Sequence, residues 1–333
     1  MCPRAKSVTA AVLDIDPEEA VAQVVAELRE IVLRRLRRRG AVLGLSGGID
    51  STVTAALCSE AFGPGKVVGV LMPEADSDPE TLALSRLAAE SVGIETVVED
   101  ITGILEATGC YRRRDEAFRS VIPEFADGWR AKIVLPSILG GDRLAVFSVV
   151  AEAPSGERFQ TRLSAAAYRG VLAATSFKQR TRKMLEYYHA DRLDYAVVGT
   201  PNRLEYDQGF FVKQGDGAAD VKPIAHLYKT QVYLLAEHFG VPAEIRARPP
   251  TTDTYSLPQS QEEFYFSLPY DKMDLCLYAR DNDLPAEAVA EACELAPEDV
   301  ERVFRDIDRK REVTRYLHEP PLLAEPVPAL SRP

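Results

Sequence analysis

At 333 residues, 46% apolar and 27% charged, the chain has a globular composition and room for one large α/β domain. A net charge of −11 argues against a broad nucleic-acid or membrane surface. Five scattered cysteines without a CxxC pair and four scattered histidines speak against zinc, disulfide or histidine-based metal chemistry. With no signal peptide and no membrane-length apolar run, the expected location is cytoplasmic.

Residues 1–15 read as a loose arm. Asp16-Pro17-Glu18-Glu19 then combines a capping Asp, Pro at the first helical position and acids in the first turn, which predicts a helix to about Arg38. Its Arg-rich end suits the negative pole of a helix dipole. The apolar run 41–45 reads as a strand, and helical pattern follows over 51–61. A strand over 66–72, a helix over 78–92 and a strand over 95–100 come next. Alternation of this length predicts a mostly parallel, doubly wound sheet with flanking helices. Ligands in such sheets sit at the carboxyl ends of the strands.

Residues 126–170 change character. Two strand-like stretches flank the turn Ala153-Pro154-Ser155-Gly156-Glu157, which predicts a β-hairpin over 143–163 within an insertion spanning 126–170. Both of its faces read as apolar, so it should pack on the body or across an interface, with Trp129 at least half buried. Helix returns over 165–191, then a strand at 195–199 and a helix over 229–238. The Gln/Glu/Ser-rich stretch 259–263 looks mobile. The end is helical over about 270–282, 285–293 and 297–316, with a proline-broken tail over 319–333. The expected organisation is a single domain over 16–318, carrying the insertion and two loose termini.

The chemistry concentrates at Ser46-Gly47-Gly48-Ile49-Asp50-Ser51, between a strand and a helix. Glycines let backbone approach an anion, and a helix start offers free N–H groups and a positive dipole end. Ser46 and Ser51 add hydroxyl donors, and Asp50 is placed to hold magnesium beside a phosphate. The spacing fits neither GxxxxGK[ST] nor GxGxxG.

This loop resembles the pyrophosphate loop of the ATP pyrophosphatases, which include the NAD, GMP and asparagine synthetases and cleave ATP between its α- and β-phosphates. The resemblance narrows further along the chain. Gly199-Thr200-x-Asn202-x-x-Glu205, Gly215-Asp216-Gly217-x-x-Asp220, Leu227-x-Lys229-Thr230 and Pro250-Thr251-x-Asp253 follow NAD synthetase order and spacing. The likeness covers about 20–125 and 171–310. It implies amidation of deamido-NAD through an acyl-adenylate, with ammonia as donor and release of AMP and pyrophosphate.

Carried over by position, Ser46, Gly47, Gly48, Ile49, Ser51, Thr200, Lys229 and Thr251 would bind ATP. Arg180, Lys213, Asp220 and Asp253 would bind deamido-NAD, and Asp50 and Glu205 would hold Mg2+. Backbone near Leu71 and Met72 would read the adenine edge. Lys229, Asp50 and Glu205 would serve catalysis, because pyrophosphate departure builds negative charge that donors and metal must stabilise. The family's dimers place deamido-NAD across the subunit interface, so a homodimer is expected.

The departures gather on the acceptor side. Ser176 stands where the family has Asn, Val212 and Gln214 flank Lys213, and Arg309 stands where the family often has His. Roughly forty residues precede the loop, too few for a glutaminase domain, so ammonia would arrive free or from a separate glutaminase subunit. Two other readings stay open: an amide ligase for a different carboxylate, and a nucleotide-binding subunit without turnover.

Overall fold

The computed structural model describes residues 8–135, 147–251, 254–325 and 327. The helices are α1 (Pro17–Arg29), α2 (Ile49–Phe62), α3 (Thr81–Val92), α4 (Thr102–Ala107), α5 (Cys110–Arg119), α6 (Ala165–Leu193), α7 (Arg203–Gln208), α8 (Lys229–His238), α9 (Ala243–Arg246), α10 (Tyr270–Asp281), α11 (Ala286–Val289) and α12 (Pro297–His318). The strands are β1 (Ala41–Gly44), β2 (Val67–Leu71), β3 (Glu95–Val98), β4 (Arg130–Val134), β5 (Ser148–Glu152), β6 (Arg158–Arg162) and β7 (Ala196–Val197).

The main sheet is parallel, ordered β3-β2-β1-β7. Alternate residues of β1 and β2 feed opposite layers. Ala41, Leu43, Val67 and Leu71 join a core with α1, α2 and α8, whereas Val42, Val68 and Val70 join one with Ile101, Leu105 and Ala190. Both faces are buried, as near-continuous apolar strands require. A third core unites α7, α10, α11 and α12, and Leu13 docks into it.

Several boundaries differ from expectation for identifiable reasons. Asp16 caps α1 by accepting the N–H groups of Glu18 and Glu19 at 2.9 and 3.1 Å. The helical course ends at Arg35 in a π-helical turn rather than at Arg38. There the chain turns so that Arg38 meets Asp194 at 2.6 Å and Arg39 N–H reaches the Asp194 carbonyl at 2.9 Å. Helix α3 starts at Thr81 because Asp78 first closes a turn on the Glu80 N–H. Residues 8–13 are docked, with Val8 N–H on the Ala288 carbonyl and Leu13 only 4% exposed. Cys58, Cys110, Cys276 and Cys293 are free and buried, as small apolar residues would be.

The insertion is a three-stranded antiparallel sheet, β4-β5-β6, rather than a two-stranded hairpin. Residues 144–146, on which part of the two-faced apolar pattern rests, lie outside the described residues. Among the described ones a single face is apolar: Ala131, Ile133, Val149 and Ala151 are buried against Phe118, Ile122, Phe125 and Val171 of the body. Trp129 is partly buried, its ring 5.6 Å from Phe125 and 5.1 Å from Phe159. The sheet therefore packs on the α5–α6 side of the protein. The stretch 259–263 is packed too: Gln259 is 5% exposed and donates to the Ile133 carbonyl.

Because Ile133 is fully buried on the packed face, Ile133→Ala should cost about 2–5 kcal/mol in a denaturant titration. It should do so within one cooperative transition. A loss under about 1 kcal/mol, or a separate early transition for the insertion, would mean that the sheet is not part of the body's core.

Candidate active site

The loop after β1 is built for close approach. Gly47 has φ +72°, and a Cβ there would lie 2.7 Å from Leu84 Cβ and the Ser85 backbone N, so only glycine fits. The Gly48 N–H donates to Ser46 Oγ at 3.3 Å, and Ser51 Oγ donates to the Gly48 carbonyl at 3.0 Å. The Ser46 and Ser51 hydroxyls lie 3.2 Å apart. Gly48 caps α2 with no side chain over its first N–H groups, which leaves a 14-residue helix pointing its positive end at the loop.

Asp50, in the first turn of α2, meets residues from two distant segments. Lys229 Nζ pairs with Asp50 Oδ2, and Asn202 Nδ2 donates to Asp50 Oδ1 at 3.0 Å. Lys229 is only 2% exposed, and its own backbone N–H is held by Asp274 Oδ1 at 3.3 Å. Asn202 and Glu205 form a capping box on α7: the Glu205 N–H donates to Asn202 Oδ1 at 3.2 Å, and the Asn202 N–H donates to Glu205 Oε2 at 3.1 Å. Gln261 Nε2 donates to the other Glu205 oxygen at 2.9 Å.

Burial, together with the negative charge of Asp50, pushes the Glu205 carboxyl up from 4.5 to about 8. Two carboxylates that disfavour each other's charge, beside a phosphate loop, form a hard-oxygen pair suited to a divalent cation. Among the described residues no cluster of three or more His, Cys, Asp or Glu could hold a metal. Asp50 and Glu205 would therefore share Mg2+ with substrate phosphates and water, the usual arrangement for that ion.

These groups open onto a cleft of about 600 Å³ at the carboxyl ends of β1, β2 and β7. Among the described residues, six cationic side chains line it (Arg180, Arg182, Lys183, Lys213, Lys229 and Arg248) against four carboxylates. Ser46, Gly48, Ile49, Asp50, Ser51, Thr200, Glu205, Lys229, Thr251, Arg180 and Lys213 all line this cleft. Asp220 does not: it accepts the Val197 N–H at 2.8 Å and faces Tyr187 at 3.3 Å. Asp253 lies outside the described residues. Leu71, Met72 and Pro73 also line the cleft, but the Leu71 carbonyl already accepts the Glu99 N–H at 2.8 Å.

Sequence reasoning gave no role to three lining features. Lys183 and Glu186 form a buried pair at 2.6 Å, and Glu186 lies where a Cβ on Gly44 would be 2.9 Å from its oxygen. Their i,i+3 spacing was the only sequence signal. Asp216 is half-buried, its carboxyl pushed up by desolvation, and accepts the Val212 N–H at 2.7 Å. Arg248 was legible only as a charge ahead of Pro249-Pro250. Of the departures, Ser176 turns back to the Leu172 carbonyl at 2.7 Å; two residues after Arg309, Arg311 makes paired bonds to Asp207 at 2.7 Å.

In the free protein, Glu205 holds its proton over a range where the unfolded chain has lost it. Its contribution to stability is present below about pH 4.5 and disappears as the pH rises towards 8. Thermal melts of metal-free protein should show this decline, and Glu205→Gln should flatten it. Parallel profiles for the two proteins between these pH values would place an ionised carboxylate there instead.

The family model described as NAD synthase matches residues 20–126 and 153–316. The chain is 58% identical over 315 residues to the NH(3)-dependent NAD(+) synthetase of Rhizobium meliloti, covering 95% of this chain and 94% of that one. Its fold is similar to an NMN synthetase from Francisella tularensis (TM-score 0.64, 21% identity, 93% of this chain and 99% of that one). It is also similar to an NH3-dependent NAD synthetase from Campylobacter jejuni (TM-score 0.60, 20% identity, 93% and 100%).

Proposed function

Because this chain belongs to the NAD synthase family, we propose that its cleft amidates deamido-NAD with ATP and ammonia, releasing AMP and pyrophosphate. The observation that carries the assignment of roles is the convergence of Ser46–Ser51, Glu205 and Lys229 on Asp50 at the carboxyl end of the sheet. The enzyme is a C–N ligase with ATP as co-substrate and Mg2+ as cofactor.

The nicotinate carboxylate of deamido-NAD is a poor electrophile. Its oxygen attacks the ATP α-phosphorus, the α–β bridging bond breaks, and pyrophosphate leaves. Ammonia then attacks the carbonyl carbon of the acyl-adenylate, loses a proton, and AMP departs with the former carboxylate oxygen. In the first step, charge accumulates on pyrophosphate. The Ser46 and Ser51 hydroxyls, the free N–H groups at the start of α2 and the Lys229 ammonium are the donors placed to receive it. Asp50 holds Lys229 before substrate enters, so no reorganisation is needed at the moment of reaction. Mg2+ held by Asp50 and Glu205 would neutralise phosphate charge as a Lewis acid.

On the acceptor side, Arg180 and Lys213 are joined through the Arg180 Nε–Lys213 carbonyl bond at 3.3 Å and stand as anion-binding groups for the dinucleotide. Asp220 and Asp253 keep the acceptor roles implied by their motifs; Asp220, lying beside the cleft, would serve across a subunit boundary. Met184 and Tyr188, one turn apart on α6 and 55% and 59% exposed, are apolar groups available to a homodimer. We place the enzyme in the cytoplasm, supplied with free ammonia or by a separate glutaminase.

Lys229→Ala should reduce turnover by about 10²–10³-fold, as loss of one donor to a developing oxyanion does. The KM for the acceptor should change far less, so the reverse pattern would remove Lys229 from the chemistry. Pyrophosphate release measured with deamido-NAD and a panel of other carboxylic acids tests the acceptor, and preference for another acid would overturn that part of the reading. Tyr188→Glu should shift sedimentation towards monomer; an unchanged assembly state would take α6 out of the interface.

A further inference from the structure

The family match omits residues 127–152, which contain all of β4 and β5. This extra structure nevertheless touches the active site's supports. The Ala131 N–H donates to Ser256 Oγ at 3.0 Å, and the Leu135 N–H donates to the Glu263 carbonyl at 3.2 Å. Lys132 Nζ pairs with Glu263 Oε2 at 2.7 Å and donates to the Pro258 carbonyl at 3.1 Å. The Gln259 amide donates to the Ile133 carbonyl. The outer edge of β4 thus holds the segment 256–263 through three consecutive residues, Ala131, Lys132 and Ile133, and through Leu135.

That segment is the one that reaches the site. Gln261, between the two anchored residues Gln259 and Glu263, donates to Glu205 Oε1 at 2.9 Å, while its own N–H is taken by the Pro250 carbonyl at 3.0 Å. The same segment bridges back to Thr251 through Ser260. Its start is tied from the opposite wall, where the fully buried Lys178 donates to the Thr254 carbonyl at 2.7 Å and to Glu74 and Asp76 at 2.7 Å each.

We infer that β4, and Lys132 in particular, is a positioning element that holds segment 256–263 so that Gln261 fixes Glu205 and Thr251 faces the ATP end of the cleft. Without it, a Gln/Glu/Ser-rich stretch with little apolar content has few contacts of its own to set its conformation. Lys132 suits the task because its ammonium satisfies both a carboxylate and a carbonyl of the held segment. This inference rests on the reading of the cleft as the adenylation site.

The test uses the full chain. Hydrogen exchange and calorimetric titration with magnesium-ATP are compared for wild type, Lys132→Met, Lys132→Arg and, as a control on the far strand, Arg158→Ala. Lys132→Met should speed exchange of the amides over 257–266 several-fold and leave those of β1 and β2 unchanged. It should weaken magnesium-ATP binding about threefold to tenfold, the value of one lost ordinary hydrogen bond. Lys132→Arg should restore both, and Arg158→Ala should alter neither. Ser256→Ala, which removes a different anchor, should reproduce the exchange effect at the same amides. Unchanged exchange over 257–266, unchanged ATP affinity, or an equal effect from Arg158→Ala would overturn the inference. Amidation of deamido-NAD by the wild type is assayed beside these. Its absence, with the exchange and ATP effects present, would fault the acceptor assignment and leave the positioning role standing.

Discussion

Asp50 and Lys229 form an ion pair that joins segments far apart in the chain, and the organisation of the cleft depends on it. A lysine at 2% exposure cannot keep its charge without a partner, because desolvation of an unpaired ammonium is far more costly than the pairing. The partner sits in the first turn of α2, where a carboxylate is also favoured by the helix dipole. Once that pair exists, the start of α8 must lie against the start of α2. Asn202 follows, since its amide completes the bonding of Asp50, and with it come α7 and Glu205.

The electrostatics of this cluster would suit a cation and phosphates. Glu205 is half-buried beside another carboxylate and is driven towards its neutral form by desolvation, while cationic residues from α6, α8 and two loops surround the cleft. Charges that disfavour one another in the free protein are those that a metal and a polyanionic substrate would reconcile. Glu205 has a second duty as half of a capping box. Its position is therefore set by local helix chemistry as well as by the cleft, and one residue type satisfies both demands.

The insertion shows a similar economy. Its one apolar face covers Phe118, Phe125 and Val171, and its outer edge supplies backbone and lysine partners to a polar segment that leads to Gln261. An edge strand left open invites unwanted pairing; here that edge is occupied by the chain's own segment.

Much of the fold and the heart of the site could be read before any coordinates. The apolar runs of β1 and β2, the capped start of α1, the Ser-Gly-Gly loop and the end helices are local patterns, and local patterns survive translation into structure because backbone sterics and helix caps act over a few residues. Asp50, Glu205 and Lys229 could be singled out because each lies in a motif that resembles the family's, and the structure brings them together. What only the tertiary structure decided involves partners distant in sequence. It added a third strand to the insertion, because β4 stands well apart from β5 in sequence and its place is set by pairing with β5. It also packed 259–263, whose polar composition read as mobility, through bonds to a strand more than a hundred residues away. Asp220 fell beside the cleft rather than in it for the same kind of reason: its carboxylate is claimed by the backbone of β7, and nothing in the spacing of Gly215-Asp216-Gly217-x-x-Asp220 encodes that neighbour. Short-range sterics and capping were written in the sequence; which charges meet, and which are left to face a substrate, depended on how distant segments share the buried space.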